Sequence, residues 1–232
     1  SRMTDNGPRE CAKPVPVFDN KKNNNLKIID CFTFYNELDL LNYRLEVLNE
    51  YVDYFVLVEA THTHVGNEKK LYFKENKDKF KKFENKIIHI IVDDVPHKYP
   101  NVDINKYHQW LNERFQRECI GRGINTLSLK NKDIILISDL DEIPNPKLLE
   151  KVKNNEIKIT KYNLFMDIYY YNLNHKINVS WCESKILTYF EYKNLNITCH
   201  EIRRLTNKIE TLVNGGWHLS YFGDSNFIKN KI

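Results

Sequence analysis

The sequence predicts an α/β fold in which strands and helices alternate in the first half and the C-terminal half is richer in strands. Two observations carry this prediction. In the first half of the chain, apolar runs of strand length alternate with segments that show helical spacing. In the second half, aromatic and β-branched runs follow one another with fewer helical stretches between them.

The first half begins with a strand–helix–strand unit, whose crossover is almost always right-handed. The run KIIDCFTF is a buried strand, apolar residues at helical spacing from Leu38 to Val52 form a helix, and YFVLVEA is a second strand. The run KIIHIIVDD predicts a third strand. A helical face from Ile104 to Cys119 predicts the next helix, and DIILISD predicts a fourth strand.

After Pro146 the predicted strands are YNLFMDIYYYNLN, SKILTYFEY and ETLVNGGWHLSYF. We expect them to pack on the first half within one domain over residues 26–232, divided into halves at 26–145 and 146–232. Residues 1–25 carry prolines and a polar run without periodicity. They are predicted to be a flexible arm or a tag remnant.

Composition excludes several classes of protein. The 35 lysines and arginines against 31 aspartates and glutamates give a net charge of +4, a small and scattered surplus that argues against nucleic-acid binding. No run approaches the roughly 20 apolar residues of a membrane span. Five cysteines without a CxxC pair favour buried thiols over one disulfide, and a zinc site is not expected.

The acidic motif ISDLDEIP is the strongest functional signal. Asp139, Asp141 and Glu142 follow a buried strand, at the sheet edge where open α/β folds bind ligands. Oxygen ligands of this kind suit Mg²⁺ or Mn²⁺, which bridge carboxylates and substrate phosphates. The alternative is helix capping, but one carboxylate satisfies a cap and this motif has three. We therefore predict a metal–diphosphate site.

A second signal lies in NGGWHLSYFGD, where two glycines precede Trp217 and His218. Paired glycines allow close approach of the backbone to a ligand, and a neutral imidazole is a good Mn²⁺ ligand. We predict that His218 joins Asp139 and Asp141 as a metal ligand. The alternative is an ordinary hydrogen-bonded histidine.

Charged and polar residues near the first two strands are candidates for ligand binding. Asn36, Glu37 and Arg44 follow the first strand, and Glu59 ends the second. Carboxylates at strand ends in such folds accept hydrogen bonds from a ribose or a base. Among the arginines after the third strand we choose Arg117 for a diphosphate, because its helix leads directly to the acidic strand. Capping by Glu37 and a surface ion pair of Arg44 are the alternatives.

Several segments together resemble glycosyltransferase family 17, the β-1,4-mannosyl-glycoprotein 4-β-N-acetylglucosaminyltransferases. They are DCFTFYNELDLLNYRL, VDYFVLVEATHTHVGNEKKLYF, ERFQREC, ISDLDEIP and GGWHLSYFG, in family order across most of residues 27–231. The resemblance implies a GT-A-like fold with a Rossmann-type mixed sheet. Residues 26–145 would be the nucleotide-sugar half and residues 146–232 the acceptor half.

The same resemblance implies a UDP-N-acetylglucosamine donor, a glycan or glycoprotein acceptor, and inversion at the sugar carbon. A divalent cation, Mn²⁺ or Mg²⁺, would be held through the carboxylates of the DxD motif. Lumenal, Golgi-type and cytoplasmic locations all stay open. The positions that match the family for donor binding are Asn36, Glu37, Arg44, Glu59, Lys70, Arg117 and Asp139.

An inverting transfer needs a base at the acceptor hydroxyl. Glu183 in WCESK is the first candidate, because burial beside Trp181 would raise the pKa of its carboxyl group. Asp224 and Glu201 follow, and Glu142 completes the acidic cluster as a further catalytic candidate. For each of them an ordinary structural carboxylate is the alternative.

Two other functions stay open on the sequence. An inactive carbohydrate-binding relative would use aromatic residues as stacking platforms, with Trp181 and Tyr169 to Tyr171 as candidates. An Asp-nucleophile phosphatase also places DxD after a strand, but normally on the first strand of its domain. Here about a hundred residues of α/β structure come first.

Overall fold

The protein is described by a computed structural model that covers residues 25–170 and 176–220. Its strands are β1 (Ile28–Phe34), β2 (Tyr54–Ala60), β3 (Ile87–Val92), β4 (Ile134–Asp139), β5 (Glu142–Pro144), β6 (Lys161–Tyr170), β7 (Lys176–Trp181), β8 (Lys185–Thr188) and β9 (Thr211–Ser220). Its helices are α1 (Leu38–Leu48), α2 (Tyr72–Glu75), α3 (His108–Glu118), α4 (Ile120–Ile124), α5 (Pro146–Lys153), α6 (Tyr189–Leu195) and α7 (Cys199–Arg203), with 3₁₀ turns at Lys77–Phe83 and Ile104–Lys106.

All nine strands join one mixed sheet, which confirms the predicted α/β class. The order is β3-β2-β1-β4-β8-β6-β9-β5, and β7 pairs with β6. Strands β3, β2, β1 and β4 are parallel, β8 runs antiparallel between β4 and β6, and β9 is parallel to β6. The parallel strands end at one edge, and the acidic motif follows β4 at that edge.

Helices cover both faces of the sheet because successive strand side chains alternate between them. On one face, Phe32 and Leu136 pack with the apolar side of α1, including Leu45, and with Leu149 of α5. The opposite face carries a second cluster in which residues of β1, β2 and β4 pack against α4 and α7. That cluster includes Ile29, Cys31, Val56, Ile137, Ile120 and Ile202.

The elements predicted for the first half are confirmed, and one prediction after β4 is wrong. The run SKILTYFEY forms strand β8 and then helix α6, because the Thr188 side chain accepts a hydrogen bond from the Glu191 backbone and caps the helix. The segment after the acidic motif had no predicted strand. It first forms β5, whose Pro144 is tolerated because β5 lies at the sheet edge.

The cysteines only partly follow the prediction. Cys31, Cys119 and Cys199 are free and buried, whereas Cys182 is disulfide-bonded. Residues 1–24, Tyr171 and Asp224 lie outside the described residues. Within the described ranges, no helix has both the length and the apolar character needed to cross a membrane.

Candidate active site

Arg44 lies beneath the acidic motif and fixes its backbone. The side chain is fully buried and forms a two-pronged ion pair with Asp30 of β1, with Nε and Nη2 at 2.8 and 2.7 Å from its carboxylate oxygens. Its Nη1 donates to the carbonyl oxygens of Asp139, Leu140 and Glu142 at 2.9, 3.0 and 2.8 Å. The guanidinium nitrogens of Arg44 therefore donate to atoms of the protein itself. They favour a positioning role for Arg44 over the predicted role in donor binding.

Asp139 points to the opposite face of the sheet, toward α3 and α7. Its Oδ1 lies 3.0 Å from Nη2 of Arg117, and its Oδ2 lies 3.0 Å from Nη2 of Arg203. The Asp139 side chain is 31% exposed, while both arginine side chains are almost completely buried. The structure thus joins two of the predicted site residues, Arg117 and Asp139, in an ion pair, and adds Arg203 as a second cationic partner.

Glu142 is completely buried among hydrogen-bond donors. Its carboxylate accepts two bonds of 2.6 Å from Arg203, one of 2.6 Å from Ser184 Oγ and one of 2.8 Å from Trp181 Nε1. Burial alone would raise the pKa of Glu142, but the Arg203 guanidinium outweighs it and holds that pKa well below its usual range. An inaccessible carboxylate of this kind is a poor base. We assign it a positioning role in place of the predicted catalytic one.

Asp141 faces His218 across the pair of strands β5 and β9. His218 lies directly opposite Glu142 in this antiparallel pairing, so the His218 ring and the Glu142 side chain project from the same side of the sheet. Its Nε2 lies 3.6 Å from Asp141 Oδ2, and the ring stacks on Trp181 with 4.4 Å between centroids. Burial opposes protonation, but the carboxylate of Asp141 outweighs it and raises the pKa of His218.

Asp141 and His218 are the residues that could hold a divalent cation together with substrate oxygens. Within residues 25–170 and 176–220, no three histidine, cysteine or acidic side chains form a complete metal site. Asp141 and His218 nevertheless present an oxygen and a nitrogen 3.6 Å apart, and the His218 Nδ1 atom is buried without a hydrogen-bond partner. Mg²⁺ usually takes one or two protein ligands and completes its shell with phosphate oxygens and water.

A cavity of about 520 Å³ opens beside the motif. Its walls come from the ends of β1 and β4, the loop after β2, and α3. The lining residues are Thr33, Phe34, Tyr35, Glu37, Thr63, His64, Val65, Glu113, Gln116, Arg117, Asp139, Leu140 and Asp141. This volume lies within the range of small-molecule sites, which is roughly 300 to 1,000 Å³.

The other residues predicted to bind the donor are spread more widely. Glu37 is buried and lines the cavity, whereas Asn36 is not among the lining residues. Glu59 is fully buried and accepts hydrogen bonds from Phe73 N at 2.9 Å and His89 Nε2 at 2.9 Å, which is a structural role. Lys70 is exposed and also lies outside the cavity wall.

The candidates for the catalytic base lie away from the cavity wall or outside the described residues. Glu183 is partly buried, and its Oε1 lies 3.4 Å from Thr206 Oγ1. Glu201 occupies the capping box of α7, where its carboxylate accepts from Thr198 N at 2.9 Å. Asp224 is outside the described residues. These contacts favour a capping role for Glu201 and leave Glu183 and Asp224 as candidates.

Arg203 is a site residue that the sequence did not reveal. Its segment EIRRL carries no motif. Thr198 and Glu201 have the spacing of a capping box and could have indicated that a short helix begins there. The sequence holds no signal that aims this particular arginine at Asp139 and Glu142, because those contacts join residues 64 and 61 positions apart.

The curated proteins similar to this chain match only part of its length and a smaller part of their own. The β-1,4-mannosyl-glycoprotein 4-β-N-acetylglucosaminyltransferases of Rattus norvegicus and Homo sapiens are each 28% identical over 122 residues, which cover 51% of this chain and 22% of theirs. Among solved structures, apo mouse xyloside xylosyltransferase 1 aligns with 88% of this chain and 80% of its own, at 11% identity and a TM-score of 0.31.

The sequence model of one family covers almost the entire chain. It is the model of glycosyltransferase family 17, and it matches residues 15–226. The matched range includes both the acidic motif at Asp139 and the GGWH segment that contains His218. The chain belongs to glycosyltransferase family 17.

Proposed function

We propose that the protein transfers N-acetylglucosamine from UDP-N-acetylglucosamine to a hydroxyl group of a glycan acceptor, with inversion at the sugar carbon and with help from Mn²⁺ or Mg²⁺. Family membership supports glycosyl transfer. The names of the curated relatives support N-acetylglucosamine as the sugar and a β-1,4-mannosyl glycoprotein as the acceptor. The mixed sheet is consistent with a GT-A-like enzyme.

One observation carries the proposal: the acidic motif is held rigidly beside an open cavity. Arg44 fixes the backbone of the motif with three hydrogen bonds, and Asp139 and Asp141 line about 520 Å³ of space at the carboxyl edge of parallel strands. In open α/β sheets this edge is where ligands bind. Preorganised charge at such a site stabilises a transition state without reorganisation during the reaction.

The residues of this chain would divide the work of the transfer. Asp141 and His218 would hold the cation, which would offset negative charge on the leaving diphosphate. Asp139 would stay in position through Arg117 and Arg203, and Arg117 would present positive charge to the same diphosphate. The acceptor hydroxyl would attack the face of the anomeric carbon opposite UDP, with Glu183 or Asp224 as the candidate base.

A donor screen tests this proposal. UDP release is measured with a set of UDP-sugars and an oligosaccharide that contains β-1,4-linked mannose, in Mn²⁺ and in chelator. We expect turnover with UDP-N-acetylglucosamine that chelator removes and Asp141→Ala abolishes. Asp94→Ala is the matched control, because Asp94 forms only a surface ion pair with Arg122.

Two results would contradict the proposal. The first is full turnover in Asp141→Ala, which would remove the motif from the reaction. The second is hydrolysis of phosphomonoesters without any requirement for a nucleotide sugar, which would favour the phosphatase.

A further inference from the structure

The loop after β2 places one histidine, His64, on the wall of the cavity. His64 is an exposed residue, and it lines the cavity together with Val65. The loop is anchored by Asn112 of α3, whose Nδ2 donates to the carbonyl oxygens of His64 at 2.9 Å and His97 at 2.8 Å. His64 is therefore presented to the cavity from a fixed backbone.

Gln116 of α3 determines which ring nitrogen of His64 carries the proton. Its Nε2 lies 3.1 Å from the carbonyl oxygen of Val58 and 3.4 Å from that of Phe34. Carbonyl oxygens only accept hydrogen bonds, so the amide NH₂ must face them and Oε1 must face His64. The distance from Gln116 Oε1 to His64 Nε2 is 3.2 Å. An amide oxygen also only accepts, and therefore Nε2 is the protonated nitrogen in the neutral ring.

The opposite nitrogen, Nδ1, is then an acceptor. None of the described residues forms a hydrogen bond with it, and the ring is accessible from the cavity. The wall thus offers a ligand one acceptor of fixed identity. A ligand group that meets this nitrogen has to supply an N–H or an O–H.

The strand order sets the separation between this loop and the acidic motif. The sheet order runs β2-β1-β4, so the end of β2 lies two strand spacings from the acidic motif at the end of β4. With a spacing of roughly 4.8 Å, that separation is about 10 Å. In a nucleoside diphosphate the ribose lies next to the phosphates and the base lies beyond it. If the diphosphate binds at the acidic motif, the base would therefore lie near His64.

We infer that His64 Nδ1 accepts the N3–H of a uracil base and that this contact selects uracil over cytosine. The N3 atom of cytosine carries no proton in the neutral nucleoside, so it would place one acceptor against another. Gln116 is the positioning residue that fixes the histidine tautomer. The inference rests on the proposed function for the presence of a nucleotide donor, and adds the residue that reads its base.

Two substitutions separate the nitrogens of the ring. In His64→Asn the amide oxygen takes the place of Nδ1 and keeps an acceptor at the cavity. In His64→Gln the amide takes the place of Nε2, so no acceptor remains at the position of Nδ1. Calorimetry with UDP, CDP and N3-methyl-UDP in Mn²⁺ gives the readout. For the loss of one neutral hydrogen bond we expect roughly 5- to 10-fold weaker UDP binding in His64→Gln and His64→Ala.

Wild type and His64→Asn should prefer UDP over N3-methyl-UDP and CDP, while His64→Gln and His64→Ala should lose this preference. Val65→Ala is the matched control, because it lines the same cavity without a hydrogen-bonding group, and it should keep the preference. Nitrogen NMR at slightly alkaline pH should show the His64 proton on Nε2 in wild type, and a shift toward Nδ1 in Gln116→Leu.

Three results would contradict the inference, each in a different way. Wild-type protein that binds UDP, with the same preference in all His64 variants, would overturn the role of His64 and leave the proposed function intact. A loss of affinity for UDP but not for 2′-deoxy-UDP in His64→Ala would assign the contact to the ribose and also overturn the inference. No binding of UDP by wild-type protein would overturn both proposals.

Discussion

At the scale of single residues, buried arginines determine the shape of the acidic motif. Arg44 contacts its backbone, and Arg203 contacts the side chains of Asp139 and Glu142. A buried ion pair of this kind adds little net stability compared with apolar residues, but loss of one partner leaves an uncompensated charge. These arginines therefore act chiefly by fixing geometry, and their removal is costly.

Arg203→Met tests the buried pair with Glu142. We expect the free energy of unfolding to fall by about 3–5 kcal/mol, because Glu142 would remain buried without its cation. Urea denaturation measures this change. Arg122→Met removes the surface pair with Asp94 and an exposed contact with the Phe115 ring, and should cost no more than about 1 kcal/mol. Equal losses in the two variants would contradict the assignment.

Lys185 predicts a pH-dependent contribution to stability. Burial lowers the pKa of Lys185 to about 7, although its ammonium group donates to the carbonyl oxygens of Cys182 and Glu183 at 2.9 and 2.7 Å. Between that pKa and the unfolded value of about 10.4, the unfolded chain binds the extra proton. The contribution of Lys185 to stability is thus complete above the unfolded pKa and is lost as pH falls through about 7.

The comparison with Lys185→Met isolates this effect, because other titrating groups are common to both proteins. In urea denaturation at pH 7 and pH 9, we expect the free energy of unfolding of wild type to rise by about 1–2 kcal/mol more than that of the variant between the two pH values. A difference that stays constant with pH would show that Lys185 has an ordinary pKa in the folded protein.

At the scale of elements, strands β1 to β4 and helices α1 and α3 followed directly from hydrophobic periodicity, whereas the short helices α2 and α4 were not predicted. Strands β1, β2 and β4 are buried on both faces and read as continuous apolar runs. Helix α6 was misread because its aromatic residues favour strands, while its start depends on the cap from Thr188. Strand β5 was missed because three residues with a proline give no periodic signal.

The site shows the same division between local and long-range information. The acidic motif and Arg117 were predicted from position along the chain, because both lie on elements that end near one sheet edge. Arg203 and the buried partners of Glu142 depend on how α7 and β7 pack on that edge. Sequence periodicity indicates which face of an element is buried, but it does not identify the residue that each side chain meets.

Strand β9 depends on a glycine at its closest approach to β5. Gly216 has a φ of +148°, and a Cβ atom there would collide with the carbonyl oxygen of Ile143. We expect Gly216→Ala to lower the free energy of unfolding by more than about 1 kcal/mol, since both the backbone and the neighbour must shift. Gly121→Ala is the control in α4, where helical alanine is favoured and the nearest atom is the Tyr192 hydroxyl at 3.3 Å.

At the scale of the whole molecule, one sheet joins the two halves of the sequence at the site. Strand β4 pairs with β8 from the second half, and β5 pairs with β9 from the end of the described chain. Asp141 and His218 are 77 positions apart, yet this pairing brings Asp141 Oδ2 and His218 Nε2 to 3.6 Å. The proposed cation would therefore bind where the two halves meet, with the donor cavity on the side of the first half.

Calorimetric titration of the protein with UDP, with and without Mn²⁺, tests the central claim most directly. We expect wild-type protein to bind UDP at least about tenfold more tightly with Mn²⁺, a difference of about 1.4 kcal/mol. Asp141→Asn should lose this dependence, while the surface control Asp94→Asn should keep it. UDP binding that is indifferent to Mn²⁺ in wild type, or equally dependent on it in Asp141→Asn, would contradict the account.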